Sequence, residues 1–370
     1  MTLNIHDHQW DGFLPRPSTR RAVPEAAMVH AGKRILVTGA GGSIGSALAH
    51  TLHGLNPESL VLLDSSEQNL FRIHAQLSSL PGPERHVPVL ASVADERTLR
   101  NIFARYQPEV IYHAAAFKHV PLMERNPFAV VQNNVFGTLT LAMAARRFRA
   151  ARLIMISTDK AVNPHSMMGA SKRLAELVLL ALRGETTHMS SIRLGNVLGS
   201  EGSVVPLFLE QIQHGEPVTV THPEVERYFL TLEDALSCIL SAASSCPDHG
   251  AVYVPEMGEP TKIVDLAQYL IHQASQVDIP IIYTGLRPGD KLREEFVSDR
   301  ETLSHELSSG LHHVNSPRLA ETELADGLAE LNAAVSELDL ARLLAAMTRL
   351  VPEYHPSFYL RDQVALAAAT

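Results

Sequence analysis

Short apolar runs alternate with longer amphipathic stretches along the first half of the chain. Arg34-Ile35-Leu36-Val37 has strand length and enters Thr38-Gly39-Ala40-Gly41-Gly42-Ser43-Ile44-Gly45, after which a helical period of apolar residues continues through Leu52. Further runs near 59–63, 87–90, 109–113, 152–156 and 189–194 read as strands. The stretches near 67–79, 96–106, 127–148 and 168–183 between them carry the helical period. Regular alternation of this kind predicts an α/β domain, a doubly wound and mostly parallel sheet covered by helices on both faces.

The flanks differ. Residues 1–31 hold Pro15, Pro17 and Pro24 among mixed polar residues, without a sustained period, and read as an arm or linker. Residues 32–199 form the expected core. From about Ser200 the pattern loosens around Pro206, Pro217, Pro223, Pro260 and Pro288, so residues 200–370 are expected to supply mainly a smaller substrate-binding region with C-terminal helices, from which the chain can return to the core. Asp339 to Leu350 has the pattern of a late amphipathic helix, and no internal repeat is visible.

Composition narrows the class. The 370 residues are 45% hydrophobic and 19% charged, which suits one large domain or a cofactor domain with a smaller partner. No stretch approaches the roughly 18 to 20 uninterrupted apolar residues of a spanning helix, and His6, Asp7, His8, Asp11 and Arg16 stand where a signal peptide has its apolar run. The expectation is a cytoplasmic protein with no membrane span. A net charge of -9 argues against nucleic-acid binding. Cys238 and Cys246 are too few for a disulfide framework or thiolate metal site and read as ordinary thiols. The 19 histidines are scattered, with His6/His8 and His312/His313 as the closest groups and neither at helical ligand spacing, so no metal is expected.

Gly39, Gly42 and Gly45 are spaced G-x-x-G-x-x-G between a strand and a helix, with Ser43 and Ile44 inside the turn. Missing side chains there allow a tight turn and close approach of a pyrophosphate to the helix N-terminus, which marks the sheet as Rossmann-type. Asp64 ends the next apolar run, where a carboxylate can accept hydrogen bonds from an adenosine ribose. It would repel the 2′-phosphate of NADP, and no arginine follows in Ser65-Ser66-Glu67, so NAD is the favoured cofactor.

The most informative segment is Ser157-Thr158-Asp159-Lys160-Ala161-Val162-Asn163-Pro164, followed by Met167-Met168-Gly169-Ala170-Ser171-Lys172. It lies where a strand gives way to a helix, at the sheet edge that binds ligands in α/β folds. With the glycine turn it resembles the extended short-chain dehydrogenase/reductases, and within them the nucleotide-sugar 4,6-dehydratases of bacterial polysaccharide and glycan biosynthesis. The likeness runs from about Gly32 to Tyr354, through His113-Ala114-Ala115-Ala116, Lys118-His119-Val120-Pro121, Asn134-Val135-Phe136-Gly137-Thr138, Arg193-Leu194-Gly195-Asn196-Val197-Leu198-Gly199 and Leu286-Arg287-Pro288-Gly289-Asp290-Lys291.

In that superfamily the helix carries Tyr-x-x-x-Lys. Lys172 holds the lysine position and Met168 the tyrosine position. A thioether neither gives nor takes a proton, so other groups must carry the proton traffic. The replacement resembles a subgroup of UDP-N-acetylglucosamine 4,6-dehydratases that retains the Thr-Asp-Lys run, most of whose members carry an N-terminal membrane portion.

The resemblance implies NAD, a UDP-sugar substrate, and a homodimer through two sheet-flanking helices or a higher homo-oligomer. It implies C4 oxidation, loss of water across C5 and C6, and return of the hydride at C6. Asp159 is then the acid for the departing C6 hydroxyl, Lys160 the C5 base, Thr158 a partner near the C4 oxygen and Lys172 the holder of the nicotinamide ribose. Ala114 and Ala115 join the cofactor wall, and for Met168 plain hydrophobic packing and a part in the substrate floor are compatible readings. Asn134 is either part of the catalytic set or a buried amide bonded to backbone. Free Asp and Lys titrate near about 3.9 and 10.4, wrong for these roles, so burial and coupling must shift both. Lys118 and His119 on a loop, and Asn196, Arg227 and Arg287, are expected at the substrate, the two guanidinium forks matching a diphosphate. Two other readings stay open: a 4-epimerase, which needs no acid for C6 water loss, and a non-catalytic NAD-binding regulatory protein, which the retained Thr158-Asp159-Lys160 disfavours.

Overall fold

The computed structural model describes residues 10, 13–14, 24–182, 186–244, 250–274, 279–306 and 310–368. The first half runs α1 (Pro24–His30), β1 (Arg34–Thr38), α2 (Ser43–Gly54), β2 (Ser59–Asp64), α3 (Glu67–Ser78), β3 (His86–Leu90), α4 (Glu96–Tyr106) and β4 (Val110–His113). Then come α5 (Val120–Glu124), α6 (Pro127–Val130), a π-helical segment (Val131–Phe136), α7 (Gly137–Arg147), β5 (Arg152–Thr158), α8 (Met167–Leu182) and β6 (His188–Leu194). The second half adds β7 (Asn196–Val197), α9 (Val204–Gln213), β8 (Val218–Val220), β9 (Glu226–Arg227), β10 (Phe229–Leu230), α10 (Leu232–Ser244), β11 (Ala251–Pro255), β12 (Thr261–Lys262) and α11 (Ile263–Gln273). It ends with β13 (Ile281–Tyr283), β14 (Thr302–Glu306), β15 (Leu311–Asn315), α12 (Glu321–Glu337), α13 (Leu340–Leu350) and α14 (Phe358–Ala368).

Among the described residues the main sheet has the order β14-β15-β11-β6-β5-β4-β1-β2-β3, parallel from β3 to β11 and antiparallel at β15 and β14. Successive side chains of β1 point to opposite faces, and both faces are covered: Ile35 and Val37 join the core with α2, α3 and α10, while Leu36 joins the core with α4, α7 and α8. This is the expected doubly wound Rossmann-type α/β architecture.

Beyond residue 200 the chain divides its work. Strands β11, β14 and β15 and helix α10 return to the main sheet, whereas α9, β8 and α11 gather around Phe208, Val218 and Leu266 as a small separate core. Part of the stretch read as an arm is docked on the core. Pro24–His30 is helical, Ala26 and His30 are buried, and His30 Nε2 bonds the Tyr112 hydroxyl. Trp10 is also buried, beside Phe13 and Tyr269. Seven residues are too few to show a helical period, so this docking is invisible to pattern reading.

The helix read at 127–148 is one continuous run, Pro127–Arg147, long and apolar enough by composition to cross a membrane; half of its most apolar window is buried inside this fold. Helix α8 is buried from Met167 to Leu180, charges included. Burial of Arg173 and Glu176 is offset by pairing: Arg193 donates to Glu176 and Glu301 at 2.8 Å each, and Arg173 lies 3.1 Å from Glu176 and 3.0 Å from Glu301. The network ties α8 to β6 and to the segment before β14, holding the helix that carries Met168 and Lys172.

Candidate active site

At the end of β1 the chain turns through Gly39, which has φ +65° and whose missing Cβ leaves room for the Ala115 backbone; a Cβ there would lie 2.7 Å from it. Gly42 is different. A Cβ on it would meet only Gly39 O at 3.4 Å, so its bareness leaves space toward the cleft at the start of α2. Asp64 closes the turn from β2, its Oδ2 accepting from Gly41 N and its Oδ1 from Ser66 N, both at 2.9 Å. A glycine cradle on a helix N-terminus with a carboxylate at the end of the neighbouring strand fits an adenine dinucleotide.

A cleft of about 1120 Å³ opens over this end of the sheet. Gly39, Gly42, Ser43, Ile44, Gly45 and Ala114 line one end, and Thr158, Lys160, Met168 and Lys172 its floor. Lys118, His119, Asn196, Arg227 and Arg287 also reach it. Asp64, Ala115, Asp159 and Asn134 do not line it, but Ala115 packs on Gly39, Asp159 bonds Thr158 and Lys160, and Asn134 bonds Phe117, all of which do. Residues on at least six separate segments therefore meet in one place.

Strand β5 delivers the Thr158-Asp159-Lys160 run. Its last residue, Thr158, donates to Asp159 Oδ1 at 2.8 Å, and the short 3₁₀ turn Asp159–Ala161 then aims Lys160 Nζ back at the same oxygen, 2.9 Å away. Asp159 is fully buried, and its Oδ2 has no hydrogen-bond partner among the described residues. Lys160 Nζ also donates to Asn196 Oδ1 at 3.0 Å and stands 3.8 Å from Glu294 Oε1. Burial opposes the Lys160 charge, but Asp159 and Glu294 outweigh it and raise its pKa. This corrects the expectation of a lysine shifted toward neutrality: at rest Lys160 is an ammonium.

On α8, Lys172 is buried, and desolvation, partly offset by Glu176, lowers its pKa to about 8. Met168 is 3% exposed at the cleft floor, one turn earlier. Asn134 sits in the π-helical segment. Its Oδ1 accepts from Phe117 N at 2.9 Å, and its Nδ2 donates to Phe117 O and Ser171 Oγ, both at 3.0 Å. It therefore pins the loop after β4 to α8, acting on the cleft through position. The π-helical segment, a geometry frequent at functional sites, thus carries a buried amide bonded to the loop and to α8.

The expected substrate residues part company. Arg287 is an exposed guanidinium at the cleft, paired with Asp290 at 2.9 Å. Arg227 is buried and already donates to the carbonyls of Glu226, Lys291 and Leu292. Asn196 lines the cleft, with its Oδ1 taken up by Lys160. Lys118 Nζ donates to Glu201 O at 2.6 Å, and Glu201 N donates to Ser43 Oγ at 2.9 Å, so the loop at Glu201 bridges the glycine turn and the residue 117–119 loop. Glu294 escaped sequence reasoning. It is 6% exposed, and burial first, then Asp159, raises its pKa against the pull of Lys160, Arg227 and Lys291. Its only sequence signal is its place three residues after Lys291, in the segment that follows Arg287-Pro288-Gly289.

Residues 35–315 match the family described as polysaccharide biosynthesis protein. The chain belongs to that family. It is 43% identical to the capsular polysaccharide biosynthesis protein CapD of Staphylococcus aureus over 79% of this chain and 49% of CapD, so it spans about half the length of the first relatives it matches. The UDP-N-acetylglucosamine 4,6-dehydratase (inverting) of Campylobacter jejuni is 30% identical over 75% of this chain and 81% of its own. A UDP-glucose 4-epimerase of Rickettsia rickettsii is also 30% identical, over 73% and 79%. Among solved structures, Pen from Bacillus thuringiensis superposes with a TM-score of 0.71 at 26% identity, covering 78% of this chain and 91% of Pen. The chain thus has the extended short-chain dehydrogenase/reductase fold of the nucleotide-sugar dehydratases and epimerases.

Proposed function

We propose that the chain is an NAD-dependent UDP-N-acetylglucosamine 4,6-dehydratase. The observation that carries the reading is the Asp159–Lys160 pair at 2.9 Å on the cleft floor, with Met168 where a phenol would otherwise stand. Elimination across C5 and C6 needs an acid and a base together, and a 4-epimerase needs no acid for C6.

NAD, when bound, would supply the hydride chemistry, oxidation at C4 and reduction at C6. Gly39, Gly42 and Gly45 would hold its pyrophosphate end, Asp64 its adenosine ribose and Lys172 its nicotinamide ribose, along a wall that includes Ser43, Ile44, Ala114 and Ala115. Thr158 presents its hydroxyl near the C4 oxygen. Passage of one proton from Lys160 Nζ to Asp159 Oδ1, across their existing hydrogen bond, converts the resting ion pair into a neutral amine and a carboxylic acid without changing net charge. Lys160 then takes the C5 proton, and Asp159 gives its proton to the departing C6 oxygen. Asn196 and Glu294 hold the lysine through this exchange, Met168 packs beneath the sugar, and Arg287 with Lys118 and His119 meets the UDP half. The same reading has the unit working in the cytoplasm, where NAD and UDP-sugars are held, as a homodimer or higher homo-oligomer.

Incubation with UDP-N-acetylglucosamine and NAD, followed by mass spectrometry, tests it. The expected product is lighter by one water. An isomer of unchanged mass would make the protein an epimerase, and no turnover with tight NAD binding would make it a regulatory protein.

A further inference from the structure

We propose that His74, Glu84 and His86 form a binding site for a divalent transition ion of the zinc class, at the end of the sheet opposite the cleft. His86 opens β3 and pairs with Leu60 near the start of β2, so it lies at the strands' N-terminal edge. His74 and Ser78 are one turn apart near the end of α3, and Glu84 lies on the connection between α3 and β3.

The three potential ligand atoms all lie within 4.8 Å of one another. His86 Nε2 is 3.1 Å from His74 Nδ1, 3.2 Å from Ser78 Oγ and 3.9 Å from Glu84 Oε1. A ring nitrogen has one proton or one lone pair to offer, so hydrogen bonding alone uses this convergence poorly. A metal ion uses it well. Two nitrogens bound tetrahedrally to zinc at about 2.0–2.1 Å stand roughly 3.3 Å apart, close to the spacing the two imidazoles already have. Two nitrogens and a carboxylate suit zinc-class ions rather than calcium or magnesium, which prefer all-oxygen shells. His53, at the end of α2, adds an imidazole beside the cluster, its ring centre 6.0 Å from that of His86.

An ion here would clasp the α3–β3 connection to the edge strand, and it would serve stability rather than turnover. The test uses the full chain stripped of metal with a chelator, then titrated with zinc chloride by calorimetry and followed by thermal melting. The His74→Gln/Glu84→Gln double variant changes two residues that are not buried, and circular dichroism checks that it folds. One equivalent of zinc should bind the native chain and raise its melting temperature, while the double variant binds at least about tenfold more weakly and loses that rise. Absence of saturable zinc uptake by the native chain overturns the proposal, as does equal uptake and equal thermal gain in the double variant.

Discussion

Glu294 Oε1 stands 3.8 Å from Lys160 Nζ, so a carboxylate from the far end of the chain shares the ammonium that Asp159 Oδ1 holds at 2.9 Å. Both carboxylates raise the Lys160 pKa, against burial. Glu294→Gln removes one of the two charges while keeping the shape of the side chain. Lys160 should then lose its proton at lower pH, and because Asp159 needs that shared proton to act as the acid, the falling alkaline limb of the kcat/KM profile for dehydration should move to lower pH. A limb that stays in place would disconnect Glu294 from the lysine.

On the proposed function, Asp159 and Lys160 act in the elimination and not in the first oxidation. Asp159→Asn and Lys160→Met should each slow dehydration by about 10²- to 10⁴-fold, the usual contribution of a general acid or base. In a single turnover with UDP-N-acetylglucosamine both variants should still form NADH, and the Lys160 variant should take up solvent deuterium at C5 slowly. Near-normal dehydration by both folded variants defeats the assignment.

Met168 packs but cannot move protons. Its truncation to Ala should destabilise the fold by about 2–5 kcal/mol, because the side chain is buried at the cleft floor. Turnover should fall by less than the about 10²-fold expected for loss of an acid-base group. Urea melts and saturating-substrate rates separate the two effects, and a collapse of turnover with unchanged stability contradicts this role.

Asp64 should exclude NADP. Its carboxylate already anchors the glycine turn through Gly41 N, and a 2′-phosphate would bring like charge beside it. Fluorescence titration should show NADP binding at least about tenfold more weakly than NAD, a difference of about 1.4 kcal/mol. Equal affinities would remove Asp64 from cofactor selection.

The ion network behind α8 should make the fold acid-sensitive. Burial works against the Glu301 carboxylate, but hydrogen bonding and attraction from Arg193, with help from Arg173, hold its pKa down at about 2. A folded pKa below the unfolded value near 4.5 gives stability that is complete above pH 4.5 and is lost as pH falls through about 2. Urea midpoints should therefore decline between these pH values, and Glu301→Gln should flatten the decline.

Local pattern determined the parts of this protein that depend on neighbours in the chain. The strand–helix alternation, the glycine turn with Asp64, and the contiguous Thr158-Asp159-Lys160 run were legible because strand, helix and tight turn each follow from residues a few positions apart. Asp339 even caps the helix that its pattern announced. Tertiary structure alone decided the rest. It brought Asn196 and Glu294 to Lys160, where Glu294 adds to the neighbouring Asp159 in raising the lysine's pKa against burial, the direction opposite to expectation. It committed Arg227 to backbone carbonyls, turned Asn134 inward on a π segment, and gathered His74 and His86 from opposite ends of a loop. These outcomes rest on packing between distant segments and on the removal of charges from water, and both are properties of the folded chain that no local spacing encodes.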